Sequence, residues 1–356
     1  MIVSICVFLL LINVAMKREK ISYTTSLVVM WAIMTFISGN ADESIYLSRY
    51  NNTSDWAINS ELLFQALNVM GNKLGLSFLQ FRGCIAFLYI ALIGSTIWKL
   101  SKYPNLVLVL FFFCPFPLNV TQLRFGLSSA IFIYSYRYFI TDENKDNNKK
   151  FFLKSNEVKF CICVVLATLI HTVALCWLSL LVVKKISLKQ TIFLTVIANL
   201  FVYFLFNPSS IYWLLTKIGA FTRMAAYFSM EYQKSSYRHY GMTFLTSVLI
   251  SSICIIACIL SGKKKKYEVD LLLKSNIFSI TVLAFILRFT SEMYRPQEGI
   301  MLLNYIVLTN ECTGFRLKCK RKEFDTQVLL VILVAISFIM KIYLYNRCTV
   351  WNPMFF

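Results

Sequence analysis

Pro115-Phe116-Pro117-Leu118-Asn119-Val120-Thr121-Gln122-Leu123-Arg124-Phe125-Gly126-Leu127-Ser128-Ser129 separates two strongly apolar runs, Leu106–Phe113 and Leu127–Ile140. Neither proline has an N–H, and each disfavours helix in the residue before it, so the first run must break here. In lipid, non-helical backbone survives only where protein or a water-filled cavity satisfies its polar groups. An arginine at such a break has two readings. It snorkels from a helix end to lipid phosphate, or it faces a cavity and pairs with something anionic.

The composition settles the setting. Of the 356 residues 58% are hydrophobic and 15% charged, with 31 Phe and 19 Tyr, against a charged share of about a quarter in soluble domains. Several apolar runs approach the ~20 residues that cross ~30 Å of hydrocarbon. The expectation is one integral-membrane domain over residues 1–356, all-α and polytopic, with about ten transmembrane helices, some broken or re-entrant. The formal net charge of +19 would suggest nucleic acid for a soluble protein. Here it reflects Lys and Arg in cytoplasmic loops, and no nucleic-acid partner is expected. Most of the eleven cysteines lie in apolar runs as small hydrophobes. There is no Cys-x-x-Cys, and two histidines make no zinc site, so neither a metal nor a cofactor is expected.

Taken in order, Met1–Met16 reads as a retained span with its N-terminus outside, because its basic residues, Lys17, Arg18 and Lys20, follow it. Ile21–Ser38 then crosses outward to a first outer loop over about 40–80. Within that loop Leu63, Ala66, Leu67 and Met70 fall at helical spacing, which predicts an interfacial helix with Ser60 as N-cap. Phe81–Trp98 returns, Asn105–Phe113 goes out to the Arg124 break, and Leu127–Ile140 comes back to an inner basic loop over 141–159.

At Phe160–Val183 simple alternation fails: a single span would put every later basic cluster outside. A re-entrant pair of half-helices, breaking at Ile170-His171-Thr172, keeps the loops at 184–189, 262–270 and 312–327 inside. Gln190–Phe206 then leads out to a second outer loop over 207–240, where Ser210–Ser229 is another interfacial helix candidate. Gly241–Ser261, Leu271–Thr290, the short Gly299–Leu308 and Val328–Tyr345 follow, leaving the C-terminus outside.

By this parity Asp42, Glu43, Asp55 and Glu61 share the outer side with Arg124, Arg223 and Arg295, and His171 joins them through the re-entrant break. Aromatic residues, Tyr46 among them, surround the set. Arginine's planar fork suits diphosphate oxygens, and a carboxylate or neutral histidine can take a proton from a sugar hydroxyl. Singly, each residue has a quieter reading as solvated loop, aromatic belt or interhelical hydrogen bond.

Several of these residues carry a family resemblance. Asn40-Ala41-Asp42-x3-Tyr46, then Ser60-Glu61-Leu62-Leu63-Phe64 leading to Leu74-Gly75-Leu76, resembles the opening loop of EpsG-like polysaccharide polymerases. Leu123-Arg124-Phe125-Gly126-Leu127-Ser128-Ser129-Ala130 is similar to their arginine segment, with Phe125 where Gln is common. Leu166–Leu175, centred on His171, is similar to their histidine segment, and Asn352-Pro353-Met354-Phe355 to a terminal Pro-Tyr. The relatives include Wzy-type O-antigen and capsule polymerases.

The resemblance implies a GT-C-like arrangement in the bacterial inner (cytoplasmic) membrane. It also implies a metal-independent glycosyltransferase of O-antigen, capsule or exopolysaccharide biosynthesis, joining repeat units carried on undecaprenyl diphosphate at the outer face. On that reading Arg124, with Arg295 or Arg223, holds the diphosphate, Tyr46 lines the glycan site, and Asp42, Glu61 or His171 activates the acceptor hydroxyl. Expected partners are the lipid-linked glycan, membrane lipid, a chain-length regulator and a flippase. Two rivals share most of these features: a transporter or flippase of the same glycans, and a non-catalytic assembly partner.

Overall fold

The computed structural model describes residues 12–16, 18–40, 42–53, 61–140, 155–218, 237–260, 266–289, 291–312, 316–319, 322–325 and 336. Over these the chain is helical apart from one antiparallel hairpin, Arg316–Cys319 on Lys322–Asp325. In chain order the helices are α1 (Lys20–Phe36), α2 (Glu43–Asn51), α3 (Leu62–Lys73), α4 (Phe78–Leu100), α5 (Pro104–Phe113), α6 (Phe116–Thr121), α7 (Leu123–Ile140) and α8 (Ser155–Ile170). There follow α9 (Ser179–Lys185), α10 (Leu188–Leu205), α11 (Pro208–Ile218), α12 (Tyr237–Leu260), α13 (Tyr267–Ser279), α14 (Val282–Arg288), α15 (Arg295–Gly299) and α16 (Met301–Cys312). Two 3-10 turns, Thr172–Leu178 and Ser291–Tyr294, lie among them. Among the described residues four stretches are long and apolar enough to cross a membrane: Phe78–Leu100, Leu188–Leu205, Gly241–Leu260 and Tyr267–Arg288. Of the spans expected at Met1–Met16 and Val328–Tyr345, only residues 12–16 and 336 are among the described residues.

Local chemistry fixes where the helices begin. The Glu19 carboxylate accepts from the N–H groups of Ile21 and Ser22, at 2.9 and 2.5 Å, and starts α1. Ser77 with Gln80 and Ser187 with Gln190 form reciprocal capping boxes that start α4 and α10. Gly75, at φ +69°, ends α3 by turning its N–H to Asn72 O while Leu76 N–H reaches back to Gly71 O. At the proline pair the chain breaks as expected: α5 ends at Phe113, and Pro117 is accommodated in the first turn of α6. The following helix starts at Leu123 rather than Leu127, because only Gln122 lies outside helical geometry. Arg124 therefore sits in the first turn of α7.

The segment around His171 is a hairpin. Its first leg starts at Ser155, five residues before the expected Phe160, and α8 rises about 24 Å over 16 residues. The chain turns at His171 and returns through the stretched 3-10 turn and α9, about 14 Å plus about 10 Å. The two feet meet: Lys184 Nζ lies 3.5 Å from Glu157 Oε1 and 3.1 Å from Phe139 O. His171, Ala174 and Trp177 are buried, a period of three that matches the eclipsed rows of a 3-10 helix, and Leu180 and Val183 carry the buried face on into α9.

The same end of the bundle collects the other basic residues. Arg137, near the foot of α7, donates to Thr96 Oγ1 at 3.1 Å, and Arg18 donates to Trp98 O and Ser101 O at 3.0 and 3.2 Å. Lys102 N–H donates to Asn310 Oδ1 at 2.6 Å, and Lys266 pairs with Glu311. The shared parity of the clusters at Lys102, Lys184 and Lys266 follows from these contacts. The long helix α10 leaves Phe193, Phe204 and Leu205 exposed. The expected Leu271–Thr290 run is two helices joined through i→i+3 bonds from Ile280 to Ile277 and Thr281 to Phe278.

The first-loop helix corrects one expectation, that of its N-cap. Its buried face is Phe64, Gln65, Asn68 and Gly71, while Ala66 and Met70, half of the apolar stripe, point outward. The helix begins at Leu62, with Glu61 in the N-cap position; Ser60 lies outside the described residues. Polar contacts explain which face is buried. Gln65 Nε2 donates to Thr53 O at 2.9 Å and Asn72 Nδ2 to Tyr50 O at 2.7 Å, so the amides face α2.

Two outcomes test this architecture. Cysteines substituted at Lys102 and Lys185, whose side chains are well exposed, should react with a membrane-impermeant maleimide from one and the same aqueous side. Labelling from opposite sides would unmake the hairpin. A Cβ on Gly299 would stand 2.1 Å from Trp177 Cζ2, and Trp177 cannot retreat because it stacks on Phe132 at 4.2 Å. Gly299→Ala should therefore destabilise the protein by about 1–3 kcal/mol, read as a lower melting temperature in detergent, with Trp177→Leu recovering part of the loss.

Candidate active site

Opposite the basic end, the broken helices bring their polar residues together. Arg124 enters from the first turn of α7, where its backbone N–H donates to the Tyr46 phenol oxygen at 3.4 Å. The Arg124 guanidinium lies over the Tyr46 ring, 5.5 Å from its centroid. Glu61 makes no side-chain bond to the helix it precedes. Its carboxylate instead forms an ion pair with Arg124, and both side chains are largely buried. The carboxylate that would have capped α3 is thus committed across the fold, between residues 63 apart in sequence.

The first loop is built to hold that position. Glu43 Oε1 pairs with the buried Arg82 at 3.3 Å, and Arg82 Nε donates to Met34 O at 2.8 Å. Glu43 Oε2 also accepts from Gly39 N–H, where the chain turns at φ +76°. These bonds lock the joint between α1 and α2 and so set Tyr46 against Arg124. Asp42 stands one turn before Tyr46, and its charge acts on the Tyr46 phenol.

From the other side comes the segment after α14. Arg295 opens α15 and pairs with Glu292, three residues earlier. The indole N–H of Trp177 donates to Pro296 O at 3.1 Å, and Gln297 Nε2 donates to Ser247 O and Ser251 Oγ at 2.9 and 2.7 Å. The hairpin that carries His171 is therefore pinned directly to the segment that carries Arg295. His171 stands edge-on to the Phe125 ring, 5.8 Å away, and its Nδ1 accepts from Val173 N–H at 3.3 Å. With Nδ1 accepting, a neutral ring carries its proton on Nε2 and presents a donor there.

One electrostatic unit results. Arg124 and Arg295 both act on Glu61, and both act on His171. Burial raises the Glu61 carboxyl above the usual carboxylate range, while Arg124 and then Arg295 pull it back down. Burial, and then the charges of Arg295 and Arg124, disfavour a protonated imidazole, so the ring is held neutral. Among the described residues no group of three or more His, Cys, Asp or Glu could hold a metal ion. The arrangement can bind an anion between two arginine forks and keep one carboxylate and one N–H donor beside it.

Of the residues singled out in the sequence, Glu61, Arg124, Arg295, His171 and Tyr46 converge, with Asp42 behind Tyr46. Arg223 lies outside the described residues. Three residues with a part here were not foreseen: Glu292, Arg82 and Trp177. The Glu292-x-x-Arg295 spacing was a visible signal for the first. Arg82 and Trp177 act through contacts 39 and 119 residues away, which no local pattern records.

No curated protein and no solved structure matches the chain at significant similarity. The model of the EpsG family matches it from residue 20 to residue 355, nearly its whole length. With apolar helices long enough to cross a membrane and this match along it, the chain belongs to the EpsG family of polysaccharide polymerase-like membrane proteins.

Proposed function

We propose that this protein is a glycosyltransferase that polymerises undecaprenyl-diphosphate-linked oligosaccharide repeat units at the outer face of the bacterial inner membrane. The observation that carries the reading is the buried Arg124–Glu61 ion pair, with a second buried pair, Arg295–Glu292, on the segment pinned to the His171 hairpin. Orientation follows from charge: Lys102, Lys184 and Lys266 gather at the end away from Arg124, and basic residues favour the cytoplasm. The helices described here, with the spans expected on either side of them, make up a GT-C-like bundle of about ten spans.

In the proposed reaction the growing chain on its lipid diphosphate is the donor, and a single lipid-linked unit is the acceptor. Arg124 and Arg295 hold the diphosphate, helped by the positive N-terminal end of α7. Glu61 takes the proton of the acceptor hydroxyl, whose oxygen bonds to the anomeric carbon. The bond from that carbon to the diphosphate breaks, and its electron pair leaves with the diphosphate, where the two guanidiniums meet the developing charge. Of the three candidate bases Glu61 fits best, because it is the buried carboxylate that meets Arg124. His171 presents N–H rather than a lone pair, so its part is to donate to substrate. Asp42 tunes Tyr46, against which a sugar ring can lie. The transport rival requires a polar path to the other end, whereas the described core between the ends is packed with Phe111, Phe116, Phe132, Phe139 and Phe160.

Arg124→Ala should abolish chain extension and Arg124→Lys should recover only a small part of it, since lysine keeps the charge and loses the fork. The readout is glycan length in a deletion strain complemented with each variant at equal abundance. Single-unit product must persist; loss of single units as well as long chains would indicate transport instead. His171→Gln keeps a donor of similar reach and should retain chain extension within about tenfold of wild type, whereas His171→Phe should not. Loss of 10²–10⁴-fold in the Gln variant, the effect typical of a general base, would return the proton to His171.

A further inference from the structure

The proposed chemistry leaves Glu292 without a task. It sits on the 3-10 turn just before Arg295 and holds that guanidinium as Glu61 holds Arg124. Both pairs are withdrawn from water: their side chains are 16% and 9% exposed in one, 12% and 18% in the other. The four formal charges of the two pairs therefore sum to zero in poorly solvated surroundings. An arginine left alone there is strongly disfavoured, and so is a diphosphate seated beside two fixed carboxylates. Each pair is neutral as it stands, and a ligand bearing two or more negative charges cannot simply be added beside them.

We infer that Glu61 and Glu292 are internal counter-ions, which occupy the two arginines until a diphosphate displaces them, and that this displacement frees the Glu61 carboxylate to act as the base. The inference rests on the reading of Arg124 and Arg295 as diphosphate ligands. Diphosphate offers each planar fork a pair of oxygens and a higher charge than a carboxylate does. Once displaced, Glu61 loses a cationic partner and gains an anionic neighbour, and each change increases its affinity for a proton. The leaving group thus switches on the base that works with it, and the empty site keeps that base in an ion pair. Glu292, the more exposed of the two carboxylates, takes no proton from substrate and needs only to swing aside.

The test uses the full chain in lipid nanodiscs, with inorganic pyrophosphate as the calorimetric probe. Glu292→Gln should bind it about tenfold more tightly than wild type, because the competing charge is gone. Glu292→Asp, which keeps the charge, should stay within about twofold. Glu61→Gln should also bind more tightly while extending no chains, a pairing of opposite effects that a merely structural role would not give. Two positions are used so that misfolding at one leaves the other decisive. Monodisperse Gln variants that bind pyrophosphate no more tightly than wild type overturn the counter-ion role and leave the arginine reading standing. Wild-type binding that Arg124→Ala does not weaken overturns both.

Discussion

A guanidinium and a carboxylate cannot be left unpaired in the interior of an apolar bundle, and the rest of this structure follows from that constraint. Removing one member of a buried pair typically costs about 3–5 kcal/mol, so Glu61 and Arg124 draw the first loop down onto the helices. Once there, the loop is tied by ordinary means. Tyr50 donates to Leu76 O at 2.7 Å, Asn72 reaches Tyr50 O, and the Tyr50 ring lies 4.8 Å from Phe81. The ion pair chooses the position, and the hydrogen bonds and rings make it rigid.

Breaking helices is what allows such a pair to form within the bundle. An unbroken span presents only side chains. A span that stops partway also presents a helix end, with N–H or C=O groups free to meet a ligand. Three breaks do this here: at Cys114–Gln122, at His171, and at Phe289–Tyr294. Each delivers one of the residues that meet at the site, and Trp177 fastens the second break to the third. The amide pair Asn276 and Asn304, bonded to each other at 2.6 and 3.1 Å, braces α13 against α16 below them.

Much of this was legible in the amino-acid sequence, for reasons that can be named. Proline announces its own break, so Pro115 and Pro117 located the first. The conflict between span length and basic clusters located the second at Ile170–Thr172, and the hairpin turns at His171. Chain parity then placed Glu61, Arg124, His171 and Arg295 on one side before any contact was known. The buried face of α3 was not legible, because an apolar stripe reads the same whether it meets protein or lipid. In a membrane protein the polar face can be the buried one, as Gln65 and Asn68 show. The starts at Leu123 and Ser155 were missed because hydropathy marks the apolar body of a helix and not its first turn. The contact of Gly299 with Trp177 joins residues far apart in the chain and leaves no periodic trace.

The hairpin's return leg carries a consequence for how such a chain can change over time. A 3-10 helix advances about 120° per residue, so the row His171, Ala174, Trp177 exists only at one segment length. Inserting or deleting a single residue between His171 and Trp177 would turn the indole a third of a revolution from Pro296. Substitution within the row can be gradual, but a change of length cannot. Among descendants of this sequence the six-residue interval from His171 to Trp177 should be inherited as a fixed count, while the loops that join the helices drift in length.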